Sequence, residues 1–193
     1  MSKVINISLD TKSVKQAIKE LNKVQKKLSN KVPKVYLTKC VDYIVAKANE
    51  YLMQVNMDSS IIADIQTHWM VEHYGNNQIR LVNNSDKAVF VEFGVGIVGQ
   101  QNAHPNSYKT NYEYNIPTKA KKLDGSWVFE LDKDNAVDLV VGKYRTVRET
   151  QRGNQVIKTK GSPANLYLYN AIMDFQTTGA YKRLWQETLE QTL

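Results

Sequence analysis

Residues 11–55 leave little choice but helix, and their pattern constrains the fold more than any other part of the chain. Val14, Ile18, Leu21, Val24 and Leu28 recur every three or four residues and fall on one side of a helical wheel. Lys12, Lys15, Lys19, Lys23, Lys26 and Lys27 fall on the other side. Asp10 or Thr11 suits the N-cap, and the helix is expected to run to about Asn30. Pro33 suits the first turn of a second helix, because a helix start has no partner for the missing N–H. That helix carries Leu37, Cys40, Val41, Ile44, Val45, Ala48, Leu52 and Val55. Its wider stripe predicts deeper burial than the first helix. Ahead of both, Val4 to Leu9 alternates as a short strand does.

The charge is as segregated as the hydrophobicity. The chain of 193 residues has a net charge of +7. Residues 1–50 hold eleven lysines against Asp10, Glu20, Asp42 and Glu50, so the whole excess lies there. Such a face is either a solvated surface that keeps the protein soluble or a patch for nucleic acid or an acidic protein. Hydrophobic residues make up 42% of the chain, enough for a packed core in one domain over 1–193. No run approaches the length of a membrane span, and no secretory signal is expected at the start. Cys40 is the single cysteine, so no intrachain disulfide forms, which fits assembly in a reducing cytoplasm.

Beyond Ser59 the periodicity changes. A short helical turn is expected over Ser60–Ile65. Gln66–Tyr74 and Gln78–Asn83 read as strands around Gly75-Asn76-Asn77. Asp86–Phe93 is short and apolar, helix or strand. Residues 100–126 are polar with few aliphatic anchors, so they predict a long loop or insertion, mobile or ordered by a partner. Trp127–Leu131 and Val137–Tyr144 resemble strands. Arg145–Lys160 is a basic connector or hairpin. Pro163 is expected to open a helix through about Phe175, and Gly179 to separate it from a last helical piece. The order predicts an α+β fold: two N-terminal helices, an antiparallel sheet and a C-terminal helix packed on the sheet.

Several stretches carry the letters of catalysis without its spacing. Gly94-Val95-Gly96-Ile97-Val98-Gly99 matches G-x-G-x-x-G, but a dinucleotide site needs a strand before it and a helix after it. The following residues, 100–106, are expected to be loop. The glycines are better explained by a sharp turn or a close approach of backbone. His68 and His73 are five apart, about 140° on a helix and opposite faces on a strand, so they share no metal. Cys40 lies on an apolar helix stripe and is expected to be a core residue. Asp132, Asp134 and Asp138 are dispersed as turn and surface acids, and there is no G-K-[ST] phosphate loop. No enzymatic activity, metal or cofactor is expected.

The stretch Lys87-Ala88-Val89-Phe90-Val91-Glu92-Phe93-Gly94-Val95-Gly96-Ile97-Val98-Gly99 resembles the signature of a phage minor tail component or tail-completion family. That family is typified by the tenth gene product of a lambdoid phage. Its members commonly read Val-Glu-Phe-Gly-Thr-Gly, often continuing Ile-Val-Gly; here Val95 stands at the threonine position. A lysine-rich helix followed by a second helix (residues 11–55), His104-Pro105 in the polar loop, and the Gly161-Ser162-Pro163-Ala164 entry to a helix agree with it.

The resemblance implies a virion protein of a tailed bacteriophage, at the neck or upper tail, made in the host cytoplasm. It implies a homo-oligomeric ring of six that completes the tail or joins head to tail beside other connector and tail proteins. Tail-terminator and head-closure roles in the same region are alternatives. Candidate subunit-interface residues are Phe90, Glu92, Phe93, Gly94, Gly96, Ile97, Val98 and Gly99, with packing of the subunit's own core as the alternative. Glu92 either pairs with a basic residue, in its own or an adjoining subunit, or faces solvent. Lys12, Lys15, Lys19, Lys23, Lys26, Lys27, Arg145, Arg148 and Arg152 are candidates for non-specific contact with genomic DNA or with an acidic partner. A stand-alone nucleic-acid-binding protein is the alternative from another class, with Tyr108, Tyr112 and Tyr114 for stacking.

Overall fold

The computed structural model describes residues 11–55, 57–110, 112–114 and 161–193, and the backbone of three strands at 127–131, 145–149 and 155–159. The expected strands at 4–9 and 137–144, the acids Asp132, Asp134 and Asp138, and Arg152 lie outside the described residues. The architecture is α+β. The elements are α1 (Thr11–Lys26), α2 (Val32–Met53), α3 (Ser59–Thr67), β1 (Trp69–Tyr74), β2 (Gln78–Asn83), α4 (Ala88–Phe93), α5 (Gly96–Gln101), α6 (Ser107–Thr110), β3 (Trp127–Leu131), β4 (Arg145–Glu149), β5 (Gln155–Thr159), β6 (Gly161–Ser162), α7 (Tyr167–Thr177) and α8 (Ala180–Thr192). No described helix is long and apolar enough to cross a membrane.

The two N-terminal helices are not separate. A π turn, Lys27–Lys31, joins them with helical dihedrals on both sides, Lys26 at φ −61 and Val32 at φ −59. Pro33 therefore sits in the first turn of α2, as expected, although the helical rod does not break before it. It offers no N–H to the carbonyl four residues back, and its ring crowds that carbonyl. A locally widened turn just before the proline relieves both problems without ending the rod.

The chain divides into two compact units. The first holds Met1–Ala46, Val71–Val82 and Ile172–Leu193. Here the C-terminal helices lie against α2. The Tyr43 ring meets Phe175 at 5.7 Å, and its hydroxyl reaches Asp174 at 3.4 Å. Tyr36 packs edge-on to Trp185 at 5.1 Å and donates to the Tyr181 carbonyl at 3.2 Å. Val32, Cys40, Val41 and Ala180 are buried. Cys40 is thus a core residue, and burial pushes its thiol up. As the wider stripe predicts, α2 is the more buried helix; α1 contributes only Ala17 to the core. Gly179, at φ 70, makes the break between α7 and α8.

The second unit holds Lys47–Met70 and Asn83–Ala171. Its core includes Ala48 and Leu52 of α2, Ile65 of α3, Ala88 and Val91 of α4, and Tyr167 and Ala171 of α7. Trp69 at the head of β1 donates to Asn49 at 3.0 Å and meets Tyr167 edge-on at 6.4 Å. The expected packing of the C-terminal helix on a sheet is represented among the described residues by this contact of Tyr167 with β1. A second sheet has the order β3-β5-β4, both pairs antiparallel, with a register shift between Thr146 and Arg148. The basic stretch 145–160 therefore contains a hairpin.

Asp58 caps α3 by accepting from Ser60 N at 2.6 Å, so the helix spans more than the short turn expected. Asp64 on the same helix accepts from the Ser85 hydroxyl, and Ser85 in turn accepts from Lys87 N at 3.1 Å, just ahead of α4. The Ser85 hydrogen bond holds the Asp64 carboxyl below its ordinary range, with Lys87 and His68 adding to it. A carboxyl whose folded value is depressed stabilises the fold above its unfolded value, and that contribution is lost as pH falls through the carboxylate range. Asp64→Asn is therefore expected to lower stability at neutral pH and to shrink the loss between neutral and acidic pH. Urea denaturation at the two pH values measures both; an unchanged acid limb contradicts the assignment.

Candidate functional site

The segment that carries the resemblance folds into a closed knot of backbone. Ala88–Phe93 is a helix, so the motif is preceded by a helix and not by a strand. The residues after it are not plain loop: α5 begins at Gly96 and runs to Gln101. A helix–turn–helix path of this kind lacks the strand that a G-x-G-x-x-G dinucleotide site requires. Gly94 joins the two helices at φ 78, ψ 175, a region open only to glycine. A Cβ at Gly94 would lie 2.6 Å from both Ala164 N and Ser162 O. One at Gly99 would lie 2.9 Å from Gly94 C and 3.0 Å from the Tyr114 ring. Val95 and Gly96 bridge Ser162 and Gly161 in an antiparallel manner. The glycines thus allow the chain segment 161–164 to pass against the turn.

That crossing explains why α7 starts at Tyr167 and not at Pro163. Residues 161–166 are committed to the crossing: Asn165 N donates to Val91 O at 3.0 Å, and Leu166 N to Glu92 O at 3.3 Å. Leu166 itself has φ 56, a costly conformation for a leucine that these bonds hold in place.

Glu92 sits under the knot and is 6% exposed. Its carboxylate accepts from Leu168 N at 2.9 Å and Tyr169 N at 2.8 Å, two first-turn amides of α7. It also accepts from His104 Nε2 at 2.9 Å. His104 is 4% exposed, and its Nδ1 accepts from Asn106 N at 2.9 Å, which puts the ring proton on Nε2. Glu92 therefore neither faces solvent nor waits for an adjoining subunit; it caps a helix 76 residues away in sequence. Helix-start amides and a carboxylate attract through hydrogen bonding and through the helix dipole. Its charge also makes the neighbouring buried Tyr167 phenol harder to ionise, adding to the larger effect of burial.

Phe93 closes the site, stacking on His104 at 4.2 Å and on Tyr112 at 4.7 Å. Tyr112 donates to Gly94 O at 2.6 Å. Tyr114 accepts from Gly96 N through its carbonyl at 2.6 Å and from His104 N through its hydroxyl at 3.2 Å. The expected long loop is thus anchored at His104, Tyr112 and Tyr114, and residues 111 and 115–126 lie outside the described residues. Burial, then Tyr114, push the Tyr112 phenol up.

Of the candidate interface residues, Glu92, Gly94, Gly96 and Gly99 are buried in the chain's own packing. Phe93, Ile97 and Val98 are half-buried. Phe90 is 38% exposed, beside Val89, which is exposed too. All six lysines of the first basic face are exposed; Lys23 pairs with Glu20 at 2.7 Å, and Lys27 donates to Thr192 O at 3.0 Å. Arg145 and Arg148 lie on β4. His68 ends α3 against Asp64 while His73 lies in β1, and no cluster among the described residues has the makings of a metal site. Among the described residues every buried side-chain polar atom has a partner, so none is aimed at an absent ligand. The role of His104 is what sequence reasoning missed: His104-Pro105 was noted as agreeing with the resemblance, but nothing local marked the imidazole as the partner of Glu92.

Comparison with family models, with curated proteins and with solved structures finds no match.

Gly94→Ala is expected to destabilise the protein by about 3 kcal/mol or more, since it meets both backbone strain and a backbone collision. Gly75 supplies the contrast, because it has φ 63 but nothing within 4 Å of an added Cβ. Gly75→Ala should cost only about 1–2 kcal/mol of strain. Denaturant unfolding of both variants tests the close crossing; equal losses contradict it.

Proposed function

We propose that this chain is a non-catalytic ring subunit of a tailed-phage neck, completing the tail or joining it to the head. One observation carries the proposal: the residues on which the family resemblance rests, Glu92, Phe93, Gly94 and Gly96, are those that this fold puts to structural use. Glu92 fixes the start of α7, Gly94 admits the 161–164 crossing, and Phe93 seals the carboxylate. A signature that records a structural lock fits an assembly component, whose task is to present rigid surfaces. Ring contacts are heterologous, one patch meeting a different patch on the next copy. Val89 and Phe90, exposed on α4, support such a contact. Ile97 and Val98 are its half-buried neighbours.

Tyr112 and Tyr114 are spent on holding the glycine turn, which weakens the alternative in which they stack on nucleic-acid bases. Tyr108 alone of the three stands well exposed.

Deleting the gene from the phage genome is expected to yield DNA-filled heads separate from tails and no infectious particles. Phe90→Asp, introduced there instead, should reproduce that defect while the purified variant keeps its fold by circular dichroism. Electron microscopy of the lysates reads both. Normal, infectious virions from the deletion contradict the proposal.

A further inference from the structure

The lysines of the first basic face form a surface of one sign. Lys12, Lys15, Lys19, Lys23, Lys26 and Lys27 are all exposed. At about 100° per residue they fall within an arc of about 120°, which Gln16 alone shares with them. Along the axis they span about 22 Å. Lys15, Lys19, Lys23 and Lys26 line one open depression with Asn22, and Ile18 from the margin of the apolar stripe completes it. The stripe itself faces away, with Ile18 and Leu21 52% and 54% exposed, and plays no part here. Glu20, the one acid of α1, is held by Lys23 at 2.7 Å, and Lys27 donates to Thr192 O at 3.0 Å. Lys15, Lys19 and Lys26 have no carboxylate partner among the described residues.

We infer that this lysine face of α1 holds the phosphate backbone of a nucleic-acid duplex without reading its sequence. A face that only keeps a protein soluble mixes both signs, whereas this arc carries cations alone. Lys15, Lys19 and Lys23 follow one another four residues apart, a spacing at which like charges weaken a helix. A row of anions laid across them turns that repulsion into attraction. A protein partner would need an apolar or aromatic anchor, and lysine is depleted where proteins meet. The arc offers only lysine and one glutamine. Phosphates require no anchor, and interfaces with nucleic acid are polar and strongly basic. Lysine is a point charge without the fork by which arginine reads guanine, and no aromatic residue shares the arc. Bases are therefore neither read nor stacked upon, which favours the backbone of a duplex over a single strand. None of this depends on the ring proposal.

The test uses the full chain and labelled duplex DNA oligonucleotides of two unrelated sequences, read by fluorescence anisotropy between about 50 and 200 mM salt. Three unpartnered lysines predict a log–log salt slope of about −3, a loss of about fortyfold across that range, and equal binding of the two sequences. Lys15→Gln with Lys19→Gln should weaken binding about tenfold or more and bring the slope to about −1. Lys109→Gln with Lys182→Gln removes the same charge from two exposed lysines elsewhere and should change binding by no more than about twofold. All four side chains lie at the surface, so circular dichroism should be unchanged in both variants. Absence of binding at the low-salt end overturns the inference and leaves a solvated face. Equal losses from the two variants overturn it as well, since net charge alone would then account for binding. A marked preference between the two duplexes contradicts a contact made only with phosphates. Binding of polyglutamate but not of duplex, abolished by Lys15→Gln with Lys19→Gln, replaces the inference by a surface for an acidic protein.

Discussion

A single buried carboxylate ties the second unit together. Glu92 receives three hydrogen bonds, from two helix-start amides and one imidazole, all between 2.8 and 2.9 Å. Taking a carboxylate out of water is costly, and only full satisfaction of its lone pairs offsets the cost. Here both oxygens are used. The consequence is geometric: α4, the His104 turn and the start of α7 are fixed to one group although they are far apart in sequence. The glycines then follow from the same constraint, since the chain entering α7 must cross the chain leaving α4, and only a backbone without Cβ lets it pass.

This arrangement gives the glycine motif a purpose that excludes the one its letters suggest. A phosphate-binding glycine loop exposes backbone amides at the start of a helix. In this chain the amide of Gly96 is taken by Tyr114 O, the carbonyl of Gly94 by Tyr112, and the volume above the turn by residues 162–164. The turn is filled by its own chain.

Much of the fold was legible because it is local. The hairpin follows from Gly75-Asn76-Asn77, although its first strand starts at Trp69 and not at Gln66 because α3 runs on to Thr67; α2 follows from its stripe, and the α7–α8 break from Gly179. Pro33 was legible as a disturbance, but the residue type alone does not say whether the helix ends there or continues past one widened turn. Glu92 could not be placed from its neighbours. Its partners lie 12 and 76 residues away, and an acid among apolar residues is equally consistent with a surface position. The exposure of Ile18 and Leu21 was hidden for the complementary reason: periodicity states which residues share a face and says nothing of what covers it.

The central claim, that Glu92 fastens the start of α7, is tested most directly by amide hydrogen exchange at Leu168 and Tyr169. First-turn amides have no intrahelical acceptor and ordinarily exchange fast. Those of α8 follow Gly179, which provides no side-chain cap. The account predicts that Leu168 and Tyr169 exchange far more slowly than Tyr181, and that Glu92→Ala removes the difference. Exchange at Leu168 and Tyr169 as fast as at Tyr181 in the unaltered protein would contradict it.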